Sequence, residues 1–227
     1  MSGRPAAIRT WWMKNIVFLI ITGADLFLAA GRIRWGMAWA YLVSMSIIMV
    51  ANAAAMDPSL LVERSQLQEE TKEWDVPLVI LVSMWGPLVI GLMAGLDIRF
   101  EWSRGITPML QVAALLLVVA GGALGTWSMA SNPFFSATVR IQTERDHRVI
   151  TQGPYRYVRH PGYVGGIVFA LMSPIALGSW VALAPGLLVA CGYALRTCLE
   201  DKALLHELPG YQDYAELVRY RFIPGIW

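Results

Sequence analysis

Five apolar stretches, near residues 15–31, 37–56, 76–96, 108–130 and 162–197, leave this chain few folds to choose from. A helix needs about 20 apolar residues to cross a bilayer, because backbone polar groups inside hydrocarbon must pair within the segment. The first four stretches each fit one crossing. The fifth does not: as a single helix it would measure about 54 Å at 1.5 Å per residue, against a hydrocarbon core of about 30 Å. Pro174, Gly178 and Pro185 interrupt it, so it reads as two short helices, about 162–173 and 181–199, joined by a turn at Pro174 to Ser179. The expected fold is an all-α polytopic bundle of six membrane helices whose last two form a hairpin. Composition agrees, with 56% hydrophobic and 15% charged residues and a mean hydropathy of +0.51. The first stretch follows Arg4, Arg9 and Lys14 without a small-residue cleavage site and reads as a retained helix.

Six crossings put both termini and the loops at 57–75 and 131–161 on one side. That side carries 14 of the 18 Lys and Arg residues, and Arg32, Arg34, Arg99 and Arg104 make up the other four. The positive-inside rule makes the rich side cytoplasmic. A single final crossing would divide the charges 10 to 8, so the hairpin also explains the charge pattern better. A net charge of +2, with no basic stripe, argues against a nucleic-acid partner.

Several features read as structural. Asp57-Pro58 followed by Leu60, Leu61, Glu63, Arg64 and Leu67 predicts a capped amphipathic helix at the membrane interface, in an anchoring role. Trp11, Trp12, Trp35, Trp39, Trp74, Trp85, Trp102 and Trp227 lie mostly near span ends, as in an aromatic belt. Gly121, Gly122 and Gly125 suit close helix packing. Cys191 and Cys198, seven apart on one helical face, read as lipid-buried or packed thiols rather than a disulfide or metal site. Asp25, inside the first span, is either functional or paired with Arg32 or Arg34.

The chemistry concentrates in the last third. Residues 153–166, Gly-Pro-Tyr-Arg-Tyr-Val-Arg-His-Pro-Gly-Tyr-Val-Gly-Gly, set two Arg, one His and three Tyr against the start of an apolar segment, where charge is costly unless it serves a polar ligand. Arg196 and Glu200, four apart at a helix end, share one face and either meet a ligand or each other. The expected organisation is a membrane region over 1–130, with the interfacial segment near 57–75, and a functional core over 131–227.

His147-Arg148-Val149-Ile150-Thr151-Gln152-Gly153-Pro154-Tyr155, then Arg159-His160-Pro161-Gly162-Tyr163-Val164-Gly165, then Glu200-Asp201 resembles the isoprenylcysteine carboxyl methyltransferase family and its phospholipid methyltransferase relatives. The resemblance covers about the last 85 residues and implies S-adenosylmethionine in a cytoplasmic pocket, without a Rossmann sheet. It implies cofactor contacts at Gln142, His147, Arg148, Val149, Ile150, Tyr155, His160, Pro161, Gly162, Tyr163 and Glu200, with Arg196 facing the methyl acceptor. Where the family often has Phe-Gly-x-x-Tyr-x-x-Tyr, Gly210 here directly precedes Tyr211 and Tyr214 follows, which implies an altered acceptor-side wall. Asp201 stands where many relatives carry a second Glu.

The chemistry of the side chains fits that implication. Glu200 can accept from an ammonium or ribose hydroxyls, His160 or a backbone N–H can meet a carboxylate, and Tyr155 or Tyr163 can flank adenine. A sulfonium already activates its methyl group, so no metal is required, and no residue is assigned as acid or base; placement and desolvation remain for the protein. An anionic acceptor needs an orienting cation, for which Arg196 is suited. The expected activity is methyl transfer, leaving S-adenosylhomocysteine, to a membrane-associated or small hydrophobic acceptor such as the carboxylate of a prenylcysteine-like compound. Alternatives are a phospholipid N-methyltransferase, a small-thiol S-methyltransferase, or a membrane NADPH-dependent reductase of the sterol-reductase type, although no Gly-x-Gly-x-x-Gly signature is present.

Overall fold

The computed structural model describes residues 3–65 and 70–227; Leu67 of the expected amphipathic segment lies outside them. All regular structure among the described residues is helical. Helices α1 (Gly3–Ala30) and α2 (Gly36–Ala55) are followed by the short α3 (Pro58–Glu63). Next come α4 (Asp75–Phe100) and α5 (Pro108–Ser131). The chain ends with α6 (Pro161–Ala176), α7 (Leu183–Glu207) and α8 (Tyr211–Leu217).

Among the described residues four helices, α1, α2, α4 and α5, are long and apolar enough to cross a membrane. The expected hairpin is present as α6 and α7, but α6 is apolar with only 16 residues, about 24 Å of rise. The C-terminal half of α7 carries Arg196, Glu200, Asp201 and Lys202, so neither helix joins the four. The turn falls later than expected. Pro174 sits inside α6 and cannot bond the carbonyl of Ala170; that carbonyl instead packs closely against Gly186 of α7.

Local chemistry sets the helix starts. Pro58 and Pro108 occupy first-turn positions, where a missing N–H is harmless. Asp57 accepts from the Ser59 N–H at 2.7 Å, and Thr107 from the Leu110 N–H at 3.3 Å. Within α4 a π-turn at Leu81–Trp85, closed by the Gly86 N–H on the Leu81 carbonyl, precedes Pro87, which has no N–H to continue the ladder. The wide turn lets Gly86 lie where a side chain would strike Val189 of α7.

The centre of the bundle is a cluster of Leu26, Trp35, Tyr41, Leu42, Val118 and Leu177. A second cluster joins Trp11, Met56, Leu60, Leu61 and Met129, so the apolar face of α3 is covered by protein. Trp11 and Trp35 therefore belong to the core, while Trp39, Trp85 and Trp102 are about half exposed. Asp25 makes no pair with Arg32 or Arg34; its Oδ2 is buried without a hydrogen-bond partner, beside Gly91. Cys191 and Cys198 are free and exposed.

The two ends of the bundle are tied separately. At one end the buried Asp97 accepts from Ser103 and from Ser179, which binds the 101–107 loop to the hairpin turn. At the other, Lys14 donates to the Ser65 carbonyl, Lys72 pairs with Glu207, and the Arg159 and His160 N–H groups donate to the carbonyls of Tyr220 and Arg221. This second end gathers the 57–75 and 131–160 loops and the C-terminal tail.

Candidate active site

Close contact between α5 and α6 fixes the entry to the site. Gly165 lies so near the Gly121 carbonyl that a Cβ there would sit 2.4 Å from it, and small residues of this kind let helix backbones touch. Gly122 similarly admits Ile48 of α2, whereas Gly125 faces open space. Gly153, at φ +61°, turns the loop where any side chain would overlap Ser131.

Above this contact opens a cavity of about 460 Å³, within the range of small-molecule sites. Of the twelve residues singled out from sequence, all line it except Gln142 and Pro161. Gln142 is fully buried in the loop, where its amide donates to the Phe134 carbonyl at 2.8 Å and its side-chain oxygen accepts from Arg145. Pro161 opens α6 and is equally buried.

Asp201 is the hub of one wall. Its buried carboxylate accepts from Arg159 Nε and Nη2 at 2.8 and 2.9 Å, from Arg221 at 2.8 Å and from the Tyr211 hydroxyl at 2.9 Å. His160 Nε2 lies 3.1 Å from the same group. Burial alone would raise this carboxyl, but the bonds from His160, Arg159 and Arg221 hold it far below the usual carboxylate range. His160 in turn stacks on Tyr163 at 5.7 Å between ring centroids, and the Tyr163 hydroxyl donates to Glu200. Tyr214 donates to the Tyr155 carbonyl at 2.7 Å. Asp201 therefore holds the Arg-His-Pro-Gly-Tyr element, and Glu200 faces the cavity.

The facing wall comes from the loop. His147 stacks on Phe134 at 4.6 Å and its Nδ1 accepts the Gln142 N–H at 3.3 Å. Burial, with Arg140 and Arg145 nearby, lowers its pKa to about 4, so the ring is neutral at neutral pH and Nε2 carries the proton. Arg140 is held by Glu63 at 2.9 Å and Glu144 at 2.5 Å.

Arg196 does not pair with Glu200. It binds Asp75 through Nε and Nη2 at 2.6 and 2.9 Å, and Nη2 also donates to the Ala137 carbonyl at 2.8 Å. Its guanidinium lies over the Tyr163 ring. Asp75, which also accepts from the Val139 N–H, is not singled out by the sequence, and Arg64, expected only as part of an anchoring interfacial helix, lines the cavity from the end of α3. The available signal was an acid immediately before an apolar stretch, where an unpaired carboxylate would be costly.

Residues 113–206 match the profile of the isoprenylcysteine carboxyl methyltransferase (ICMT) family. The protein-S-isoprenylcysteine O-methyltransferase of Schizosaccharomyces pombe is 31% identical over 116 residues, covering 50% of this chain and 49% of that protein. A probable protein-S-isoprenylcysteine O-methyltransferase of Oryza sativa subsp. indica is 30% identical over 86 residues, covering 37% and 45%. The chain thus spans about half the length of the curated relatives it matches. A solved structure of the eukaryotic intramembrane Ras methyltransferase ICMT, without a monobody, overlays at TM-score 0.48 with 17% identity, over 99% of this chain and 98% of that one. The matched segment contains α6, Glu200, Asp201 and the loop wall, and over these residues, 113–206, the chain is similar to the isoprenylcysteine carboxyl methyltransferase family.

Proposed function

We propose that this protein is an S-adenosylmethionine-dependent methyltransferase acting on the carboxylate of a prenylcysteine-like acceptor held in the membrane. The observation that carries the reading is a single cavity with two characters. Its loop end is polar and aromatic, with His147, Tyr155, Tyr163 and Glu200; its deeper end, between α2, α5 and α6, is lined by Ile48, Gly121, Gly122 and Phe169. A second cavity of about 660 Å³ between α1, α2 and α4 shares Ile48, Asn52, Ser83 and Phe169 with the first, so an apolar acceptor chain has a second apolar cavity beside the site toward α1.

The donor set suits the cofactor. Glu200 accepts from its ammonium or ribose hydroxyls, the neutral His147 offers Nε2–H to its carboxylate, and Tyr155 and Tyr163 provide aromatic faces. Arg148, Val149, Ile150, His160 and Gly162 complete the enclosure, while Gln142 and Pro161 position it from behind. Bound there, the cofactor supplies a methyl group already activated by a sulfonium. The protein's own residues then exclude water and hold the acceptor in line. A carboxylate acceptor is ionised at neutral pH and needs no base. The site agrees, since the His147 Nδ1 lone pair and the Asp201 carboxylate are both committed to protein donors.

By this reading the chemistry is centred on residues 131–227. The first 130 residues contribute lipid-facing walls, Asp75 and Arg64, and the loop-bearing end faces the cytoplasm. The test is incubation of the purified protein in bicelles with methyl-labelled S-adenosylmethionine and an S-prenylated N-acetylcysteine. A base-labile labelled ester is expected. Transfer only to thiols or to lipid amines, or no transfer, would refute the proposal.

A further inference from the structure

Five arginines line the inner cavity; Arg148 is exposed to solvent, and of the other four, three are already neutralised: Arg140 by Glu63 and Glu144, Arg159 by Asp201, and Arg196 by Asp75. The fourth is Arg64. Its Nη1 donates to the Phe135 and Ser136 carbonyls at 3.2 and 3.1 Å, and its guanidinium lies 5.5 Å from the centre of the Phe135 ring. Among the described residues no carboxylate pairs with it, and Nε and Nη2 have no protein acceptor. Those two nitrogens are not sealed in the packing either, because among the described residues the one buried side-chain polar atom without a partner is Asp25 Oδ2. Arg64 lines the cavity.

The backbone under Arg64 is fixed, since its N–H donates to the Leu60 carbonyl at 2.9 Å at the end of α3 and Leu60 is fully buried. Its charge is felt by Arg196, Tyr163 and Tyr193, and burial together with Arg196 lowers its pKa to about 10. It therefore remains a cation at neutral pH. A half-buried guanidinium without a counter-ion is costly, and two free donors in one plane match a carboxylate's two oxygens.

We infer that Arg64, rather than Arg196, receives the carboxylate of the methyl acceptor through Nε and Nη2. This rests on the methyl-acceptor reading above and names the specificity residue within it. Arg196, bound to Asp75 and lying over Tyr163, instead holds the floor of the site. The apolar chain of the acceptor then runs from Arg64 toward Ile48 and Phe169.

The experiment is equilibrium binding of an S-prenylated N-acetylcysteine and of its carboxamide to the detergent-solubilised protein, without cofactor. The wild type should prefer the acid by at least about tenfold, as expected for charge-assisted bonds. Arg64→Gln should abolish that preference while carboxamide affinity stays within about twofold, and Arg64→Lys should restore it in part. The acid-to-amide ratio is insensitive to a general loss of packing, which would weaken both ligands alike. Retention of the full preference in Arg64→Gln, or no preference in the wild type, would overturn the assignment. Failure of methyl transfer alongside a preference that depends on Arg64 would instead overturn the catalytic reading.

Discussion

A guanidinium can serve a ligand only with the donors its protein partners leave free, and at Arg196 both Nε and Nη2 are on Asp75. Asp75→Asn should therefore cost about 3–5 kcal/mol, because it strands a buried charge; thermal unfolding in detergent should show a large drop, and a change within error would refute the structural role. His147 gives a pH-dependent counterpart. Its pKa falls from an ordinary 6.5 to about 4 in the folded protein, so between those values the unfolded chain binds the additional proton. Stability should decline as pH drops from about 6.5 toward 4, and His147→Asn should flatten that decline in melting profiles recorded across the window; an unchanged slope would remove His147 as its source. Ten of the twelve residues that the family resemblance pointed to line the cavity, because short motifs carry their own geometry. Asp75 and Arg64 were not legible in this way, since their roles come from contacts with residues 121 and 71 positions away in the chain.

At the scale of elements, the hairpin was legible because no single helix could hold so long an apolar run within a bilayer. The position of its turn was not. Pro174 looks like a breaker in sequence, yet the carbonyl it leaves unbonded is covered by Gly186, a contact that exists only once α6 and α7 pack. Helix α3 is similar: its cap and amphipathic pattern were visible, but Leu60 and Leu61 face Trp11 and Met129 rather than lipid. The glycines of the α5–α6 contact make the packing testable. Gly165→Ala places a Cβ against the Gly121 backbone and should destabilise by about 1–3 kcal/mol. Gly125→Ala meets nothing within 4 Å and should leave the melting temperature nearly unchanged. Equal effects of the two would contradict the proposed helix contact.

For the whole molecule, the uneven charge distribution predicted that both termini and the two long loops share one side, and the structure ties these segments together at one end of the bundle. With Cys191 and Cys198 replaced, single cysteines in the 131–160 loop and the C-terminal tail should both label from the cytoplasmic face; labelling of either from the opposite face would contradict the proposed orientation. The central claim is that the cavity beside Glu200 holds S-adenosylmethionine, and calorimetry with S-adenosylhomocysteine on the detergent-solubilised protein tests it most directly. The prediction is saturable binding that Glu200→Gln weakens by about 1.5–3 kcal/mol, the worth of a hydrogen bond to a charged group, with no comparable binding of nicotinamide dinucleotides. Absence of S-adenosylhomocysteine binding by the folded protein, or a preference for the dinucleotide, would contradict it.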